Sequence, residues 1–199
     1  MTTGLIATLA AYLFGSLSSA IILCRLAGLP DPRTDGSGNP GATNMLRLYG
    51  KGLAFATLTG DLLKGLLPLL AGRWLGVDTG VLALMGLAAF LGHLYPVFFS
   101  FRGGKGVATY IGVLFGLDWR AGAAFVLVWL AMALAFRYSS LSALVATLIA
   151  PAALWWLGAP LPVVMSCSLM AVMLVWRHRS NIRNLLAGKE HRIGSREGA

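Results

Sequence analysis

The sequence predicts an all-α polytopic membrane protein with about seven transmembrane helices. Of its 199 residues, 57% are hydrophobic and only 12% are charged, whereas soluble domains carry about 25% charged residues. The mean hydropathy is +0.76, and apolar runs recur along the chain, several of them near the roughly 20 residues that cross a bilayer. We therefore expect one integral-membrane domain over residues 1–199, in which residues 192–199 are a flexible tail.

The first apolar run, residues 4–27, carries Ser16, Ser18 and Ser19 among small residues that suit close helix packing. A polar loop rich in glycine and proline follows over 29–50. The remaining predicted runs are 51–75, 80–101, a shorter one at 107–117 with the packing motif Gly112-x-x-x-Gly116, then 120–136, 139–157 and 161–176. Cys24 and Cys167 lie in separate runs without CxxC spacing, so we expect both to be small core residues.

Basic residues orient these seven runs. If the N-terminus is outside, only Arg73 and Arg120 face outward and Lys64 lies within a run. The other thirteen then face the cytoplasm: Arg25, Arg33, Arg47, Lys51, Arg102, Lys105, Arg137, Arg177, Arg179, Arg183, Lys189, Arg192 and Arg196. Cytoplasmic loops carry such an excess, so we predict a cytoplasmic C-terminus. The same rule explains the net charge of +9 better than nucleic-acid binding does.

The first polar loop contains glycines at 36, 38 and 41, which match G-x-G-x-x-G by spacing. A dinucleotide site would need a preceding strand and an acidic residue about twenty positions later. An apolar helix precedes this loop and Asp61 lies inside another, so we reject that interpretation. A turn-rich connector remains an alternative, but the density of polar donors favours a phosphate-binding loop, with these groups: Ser37, Gly38, Asn39, Gly41, Thr43, Asn44 and Arg47.

The second polar loop has the sequence Gly103-Gly104-Lys105-Gly106. Glycines let backbone N–H groups face an anion, the following helix adds its positive end, and Lys105 adds a full charge. It is not a Walker A motif, which would need glycine at Phe99 and Ser or Thr at Gly106. We predict a phosphate site without nucleotide hydrolysis.

Polar residues inside the apolar runs are further candidates. Asp61 and Lys64 are three residues apart and share a helix face. Ionisable groups within a membrane are functional candidates. The alternative is a structural role, in which the two side chains pair with each other or Asp61 holds a hydrogen-bond donor of a loop. His93, near a helix end, favours a structural role. Ser140 and Ser142 either reach a polar site or are helix caps.

The C-terminal region contains His178 and Asn181, three residues apart and so on one helix face at the mouth of the last run. A basic tail that only binds anionic lipid is the alternative. Asn181 and Glu190 would add nothing to such binding, which favours a role in the site.

Three stretches together resemble the bacterial membrane acyl-phosphate:glycerol-3-phosphate acyltransferase family. They are Gly-Ser-Gly-Asn-Pro-Gly-Ala-Thr-Asn with Arg47, then Gly-His-x-x-Pro-Val-Phe with Gly-Gly-Lys-Gly-Val-Ala-Thr, and Asn181-Ile-x-Asn-Leu-x-x-Gly-x-Glu190. Their order and spacing agree across nearly the whole chain. The departures are Arg102, where the family pattern has lysine, and Asn184, where it has arginine.

The resemblance implies a bacterial inner-membrane enzyme with its active site on the cytoplasmic face. It would transfer a fatty acyl group from acyl phosphate to the 1-hydroxyl of glycerol 3-phosphate, giving lysophosphatidate and phosphate, the first step of phospholipid synthesis. No cofactor or metal is implied. The enzyme would lie in membrane lipid, and a phosphate acyltransferase that makes acyl phosphate would dock nearby.

The residues agree with this chemistry, because both substrates carry phosphate and two anion-binding loops lie on one membrane face. A His-x-x-x-x-Asp dyad is absent, as is a Gly-x-Ser-x-Gly elbow. Since acyl phosphate is already activated, we expect direct attack by the glycerol hydroxyl, with the substrate phosphate taking the proton. His178 as general base is the competing mechanism.

Within that mechanism we expect three groups of residues. Glycerol 3-phosphate would be held by Ser37, Arg47, Lys105, His178 and Asn181. A second group of residues would bind the acyl-phosphate head and make the remaining substrate contacts: Gly38, Asn39, Gly41, Thr43, Asn44, Gly103, Gly104, Gly106, Thr109 and Ser142. Support of the site would come from Asp61, Lys64, His93 and Glu190.

The main alternative function is a small membrane transporter of a phosphorylated metabolite, because glycine-rich loops and charges within spans also occur there. A transporter should show repeat-related halves and polar groups near mid-membrane. The sequence has no internal repeat, and its polar segments gather on one face. The acyltransferase is therefore favoured.

Overall fold

The computed structural model describes residues 2–194, and its regular structure there is entirely α-helical apart from one 3₁₀ turn at Val97–Phe99. The predicted all-α class is therefore confirmed. The helices are α1 (Thr2–Gly15), α2 (Ser19–Leu26), α3 (Ala42–Tyr49), α4 (Lys51–Trp74), α5 (Thr79–Leu94), α6 (Val107–Leu117), α7 (Trp119–Phe136), α8 (Ser139–Trp156), α9 (Leu161–Arg177) and α10 (Arg179–Leu186). Residues 195–199 of the expected tail, with Arg196, lie outside the described residues.

Several helices are long and apolar enough to cross a membrane. Among the described residues, α4, α5 with its following turn, α7 and α8 meet this condition on their own. The pairs α1–α2 and α9–α10 meet it as bent pairs, with bends of 49° and 57°, and α6 is a shorter apolar helix. This agrees with the predicted multi-pass membrane protein.

The first apolar run is broken, which the sequence alone did not predict. α1 ends at Gly15 and α2 begins at Ser19, with an extended backbone at Ser18. Backbone groups at a helix end lack intrahelical partners, so a break inside an apolar bundle needs polar groups from a neighbour. Those groups come from α4, which also supports the candidate site.

The first polar loop contains a short helix, α3, where the sequence predicted irregular structure. Met45 of this helix is fully buried and packs with Ala20, Cys24 and Ala54. The helix ends at Gly50, whose φ of 87° is a conformation that glycine adopts readily. One buried apolar residue is too weak a periodic signal to predict a helix.

Both cysteines are free, buried core residues, as predicted. Cys24 packs beside α3, and Cys167 lies in the main core of the bundle.

Glycines allow the close packing of α4 on α6. A Cβ on Gly112 would meet the carbonyl oxygen of Leu62, and one on Gly116 would lie 2.7 Å from the Leu69 Cβ. From the other side, a Cβ on Gly65 would meet the carbonyl oxygen of Thr109. Both glycines of the predicted motif therefore face α4, where only a hydrogen fits.

Replacement of Gly112 by alanine is expected to destabilise the protein by about 1–3 kcal/mol, because the new methyl group meets backbone that cannot move aside. Gly52→Ala, in α4, is the matched control, since nothing lies within 4 Å of its Cβ position. Thermal unfolding of both variants in detergent would show the difference. Equal midpoints would contradict the packing described above.

Candidate active site

The polar segments meet at one end of the helix bundle. We call residues 29–50 the first loop, residues 95–106 the second loop and residues 178–194 the C-terminal segment. At the opposite end, the Arg73 guanidinium donates to the Leu117 carbonyl. Two clefts of about 510 and 330 Å³ lie at that opposite end and are lined by none of the predicted site residues. The candidate site is therefore the end where the three segments meet.

Asn44 organises the first loop. Its side-chain oxygen accepts the Ser37 N–H at 2.9 Å, and its NH₂ group donates to the carbonyls of Pro32 and Asp35 at 2.9 and 3.2 Å. Only 1% of Asn44 is exposed. Its amide therefore holds the loop together, while Ser37 and Gly38 lie exposed on the loop surface.

The other predicted residues of the first loop are all at least partly accessible to solvent. Asn39 and Gly41 are partly buried, and Thr43 is exposed. The Thr43 hydroxyl lies 3.3 Å from the hydroxyl of Ser139 at the start of α8. The first loop thus reaches the α7–α8 connection.

Arg33 joins the first loop to the second, a role that sequence reasoning missed. Its guanidinium donates to the carbonyls of Phe99 at 3.0 Å and Arg102 at 3.3 Å, and is itself held by Asp31 at 2.7 Å. The Arg25 guanidinium lies 5.4 Å from the centre of the Phe99 ring. An Asp-x-Arg pair in a polar loop was the available signal, but it does not identify the carbonyls that the arginine meets.

The glycines of the second loop pack against α5, which differs from the expectation that their N–H groups face an anion. The Gly103 N–H donates to the Leu94 carbonyl and the Gly104 N–H donates to the His93 carbonyl, both at 3.2 Å. A Cβ on either glycine would collide with His93. These glycines therefore allow close packing, and the unused helix N–H groups lie further on, in the first turn of α6.

Arg177, at the end of α9, holds the other side of the same glycines. Its guanidinium donates to the carbonyls of Gly103 at 2.8 Å and Gly104 at 2.9 Å, and lies 5.9 Å from the centre of the Tyr95 ring. Sequence reasoning treated Arg177 only as one of the basic residues. Its contacts bring the C-terminal end of α9 against the second loop.

A chain of hydrogen bonds links the second loop to the C-terminal segment. The Lys105 ammonium donates to the side-chain oxygen of Asn181 at 2.6 Å, and the Asn181 NH₂ donates to Glu190 Oε1 at 2.7 Å. The Ser140 hydroxyl donates to the same Glu190 oxygen at 2.6 Å. Ser142 instead is fully buried and donates to the Tyr138 carbonyl within its own helix. Of the two serines that the sequence singled out, Ser140 reaches the polar network.

Positive charge converges on Lys105. Burial lowers the pKa of its ammonium; the nearby Glu190 carboxylate raises it, while Arg177 and Arg47 lower it further. Arg47, in the last turn of α3, is therefore within electrostatic reach of Lys105. Two further cations, one from α3 and one from the end of α9, thus lie within electrostatic reach of Lys105, an arrangement that a phosphate group would neutralise.

His178 lies at the junction of α9 and α10 and is 97% buried, with 3% of its surface exposed. Its Nδ1 lies 2.8 Å from the Leu174 carbonyl oxygen, which assigns the proton to Nδ1 and leaves Nε2 with a lone pair. It lies within electrostatic reach of Lys105 and Glu190. The structure therefore brings His178 to the Lys105 network.

Asp61 and Lys64 form a buried ion pair of 2.8 Å on α4, next to the break between α1 and α2. The ammonium also donates to the Leu17 carbonyl at 2.8 Å, and the carboxylate accepts the Ser19 hydroxyl at 2.8 Å. The cation thus lies at the negative end of α1 and the carboxylate at the positive end of α2, as helix dipoles favour. Of the alternatives considered for this pair, mutual pairing is confirmed.

The pair also reaches the helices that carry the second loop. The buried Thr109 hydroxyl of α6 donates to the Asp61 carbonyl at 2.9 Å, and His93 Nδ1 of α5 lies 3.1 Å from the same hydroxyl. Thr109 and His93 are thus fixed inside the bundle, beneath the second loop. Gly106, with a φ of 92°, begins α6 at the loop's end.

Three comparisons with known proteins agree with one another. A family model described as glycerol-3-phosphate acyltransferase matches residues 5–188. Glycerol-3-phosphate acyltransferases of Methylococcus capsulatus and Thioalkalivibrio sulfidiphilus are 54% and 53% identical over 187 and 188 residues, 94% of this chain in both cases and 94% and 93% of the relatives.

Crystal structures of PlsY (YgiH), an integral membrane glycerol 3-phosphate acyltransferase, are similar to the whole fold. The glycerol 3-phosphate form has a TM-score of 0.92 and the lysophosphatidic acid form one of 0.89. Each is 42% identical in sequence and covers 96% of both chains.

The ion pair on α4 gives a stability prediction. Lys64→Met leaves a buried carboxylate without its partner, which is expected to cost about 3–5 kcal/mol. The double variant Asp61→Asn with Lys64→Met removes both charges and should recover part of this loss. Thermal unfolding in detergent measures both, with Lys51→Met, at the exposed start of α4, as control. A Lys64→Met protein as stable as that control would contradict the role of the pair.

Proposed function

This chain belongs to the glycerol-3-phosphate acyltransferase family, and we propose that it takes the acyl group from an acyl phosphate and transfers it to the 1-hydroxyl of glycerol 3-phosphate. That it is an integral membrane acyltransferase of phospholipid synthesis follows from the family, and the transporter alternative is not favoured. The proposal concerns the donor, the residues and the membrane arrangement. The products would be lysophosphatidate and inorganic phosphate.

The convergence of cations around Lys105 carries the proposal. Lys105 lies in the second loop, Arg47 in α3 and Arg177 at the end of α9, and the Lys105 ammonium is already oriented by Asn181. A dianionic phosphate would replace repulsion among these cations with charge-assisted hydrogen bonds. PlsY, which shares this fold, has a glycerol 3-phosphate form, which supports glycerol 3-phosphate as the anion.

The proposed contacts to glycerol 3-phosphate come from Lys105, Arg47, Ser37, His178 and Asn181. The acyl-phosphate head would lie against the N-terminal turn of α6 and the first loop. The residues assigned to it, directly or by shaping the backbone, are Gly38, Asn39, Gly41, Thr43, Asn44, Gly103, Gly104, Gly106, Thr109 and Ser142. Because Asn44, Thr109 and Ser142 are buried and hydrogen-bonded to the protein, their part is to hold the backbone that touches the substrate. Asp61, Lys64, His93 and Glu190 support that backbone.

The reaction proceeds by direct attack. The glycerol 1-hydroxyl oxygen forms a bond to the acyl carbonyl carbon, the bond between that carbon and the phosphate oxygen breaks so that inorganic phosphate leaves, and the substrate phosphate takes the hydroxyl proton. Cations and N–H groups stabilise the charge that develops on the carbonyl oxygen and the leaving phosphate. In the competing mechanism, the lone pair on His178 Nε2 accepts the proton.

We infer seven passages through the bacterial inner membrane, with the N-terminus outside and the active site and C-terminus in the cytoplasm. The element order supports seven passages, since α2, α5, α7 and α9 end at the site's end of the bundle and α4, α6 and α8 begin there. The excess of basic residues at that end supports the orientation.

The acyl tail of the donor would lie among lipid chains between helices, with its phosphate at the interface. Acyl phosphate is consumed at the cytoplasmic face in this arrangement. A phosphate acyltransferase that makes acyl phosphate would therefore dock at the same face. The membrane lipid supplies the apolar surroundings of the tail.

Inorganic phosphate release from palmitoyl phosphate tests the reaction. Release by the purified protein should depend on glycerol 3-phosphate and yield lysophosphatidate. Lys105→Ala removes the central cation and is expected to lower the rate about 100-fold or more, whereas Lys51→Ala, at an exposed position of the same end, should change it little. Release that is independent of glycerol 3-phosphate would contradict an acyltransferase using this donor.

A further variant in the same assay separates the two proton acceptors. If the His178→Ala variant keeps most of its turnover at saturating substrate, His178 is excluded as the general base. Loss of turnover with unchanged substrate affinity would contradict the proposed proton transfer to the substrate phosphate.

The pH dependence of the reaction should respond to Glu190. Burial lowers the pKa of Lys105, and the Glu190 carboxylate opposes this by stabilising the ammonium. Glu190→Gln keeps an acceptor oxygen but removes that stabilisation, so the pKa falls further and the ammonium loses its proton at a lower pH. The alkaline limb of kcat/KM for glycerol 3-phosphate should therefore move to lower pH.

Lys105→Arg is the control for this shift, because a guanidinium does not titrate in the accessible range. Any activity that it retains should lack the alkaline limb. An unchanged limb in Glu190→Gln would contradict the electrostatic coupling of Glu190 to Lys105.

A further inference from the structure

The outward face of α10 is basic and contains an apolar residue at its far end. Arg179, Arg183 and Leu186 are exposed, Leu186 to 86%, whereas Asn181 on the opposite side and Ile182 beside Leu186 are partly buried. At about 100° per residue the three exposed positions fall on one helix face. No predicted substrate contact lies on that face.

The position of α10 places this face near lipid. α9 is an apolar helix that ends at Arg177, and α10 bends away from it by 57°. Trp176, in the last turn of α9, is 51% exposed, and the Arg179 guanidinium lies 4.6 Å from the centre of its ring. Tryptophan at the end of an apolar span marks the interface between hydrocarbon and headgroups, so α10 begins at headgroup level.

We propose that Trp176, Arg179, Arg183 and Leu186 form a docking surface for anionic phospholipid headgroups. The two guanidiniums would bind lipid phosphates, and the tryptophan and leucine would enter the interface beside them, as in amphipathic helices that lie on membranes. Charge complementarity fits an anionic partner, and the exposed Trp176 and the continuity with the apolar helix α9 favour a lipid headgroup over an acidic protein. This inference does not depend on the proposed acyl donor.

The docking surface shares its helix with the candidate site. Asn181 lies on the opposite side of α10 from Arg179 and Arg183, and it accepts the Lys105 ammonium at 2.6 Å. α10 makes only a few contacts with α8 and α9 and buries no residue fully. Headgroups bound to its outer face would therefore help to hold Asn181 against Lys105.

Lipid retention measures the docking surface directly. The full chain is reconstituted in nanodiscs of phosphatidylcholine and phosphatidylglycerol in equal parts, released, and examined by native mass spectrometry for bound lipid. The wild-type protein should retain phosphatidylglycerol preferentially. Each arginine replaced by glutamine should weaken that preference about fivefold, the effect expected for one basic residue at an anionic surface, and Arg179→Gln with Arg183→Gln should nearly abolish it.

Two controls distinguish lipid binding at this docking surface from a general effect of the protein's positive charge. Lys51→Gln removes one charge from an exposed position at the same end of the bundle and should keep the wild-type preference. Arg183→Lys keeps the charge and should retain most of the preference. All variants are first checked for unchanged thermal unfolding, and Arg183→Gln alone suffices if the double variant does not fold.

Three results would overturn the proposal. One is equal retention of phosphatidylglycerol by the double variant and the wild type. Another is an equal loss in Lys51→Gln, which would mean that only net charge matters. The third is unchanged lipid retention with loss of binding to an acidic soluble protein, which would make this face a protein docking site.

Discussion

The buried pair of Asp61 and Lys64 is the interaction on which the site depends most. A broken helix in an apolar bundle presents carbonyls at one end and N–H groups at the other that lipid cannot satisfy. One cation and one carboxylate, three residues apart on α4, meet the two sides of the break: Lys64 donates to the Leu17 carbonyl, and Asp61 accepts the Ser19 hydroxyl. Because Thr109 donates to the Asp61 carbonyl, the same point of α4 also sets where α6 begins and where the second loop must end.

Nearer the site's end of the bundle, two arginines donate hydrogen bonds to backbone carbonyls of the second loop. Arg33 donates to the second loop from one side and Arg177 from the other, so carbonyls that would otherwise lie without donors at the interface are satisfied. Glycine at 103 and 104 is needed for the close approach to His93. The second loop is thus held by hydrogen bonds from two sides, and the phosphate site proposed there would use cations that are already in place.

The sequence predicted the fold class, most helix ends and the residues of the Lys105 network, because those depend on hydropathy and on motif chemistry. It did not predict the break after Gly15 or the short helix α3. Serines among small apolar residues look the same in a continuous helix as at a break, and only the neighbouring Asp61 and Lys64 make the break stable. The roles of Arg33 and Arg177 were missed for the same reason, since a carbonyl partner leaves no mark in the sequence.

Glycine spacing shows the limit of motif reasoning most clearly. A Gly-Gly-Lys-Gly loop predicts N–H groups free for an anion, yet the first two of these N–H groups are bonded to α5. What the loop contributes instead is the placement of Lys105, whose ammonium donates to the side chain of Asn181 on α10. The position of the Lys105 ammonium thus depends on a residue of α10, a helix in which no described residue is fully buried. In the proposed docking of lipid headgroups on the outer face of α10, the headgroups would act on the same helix that positions the Lys105 ammonium.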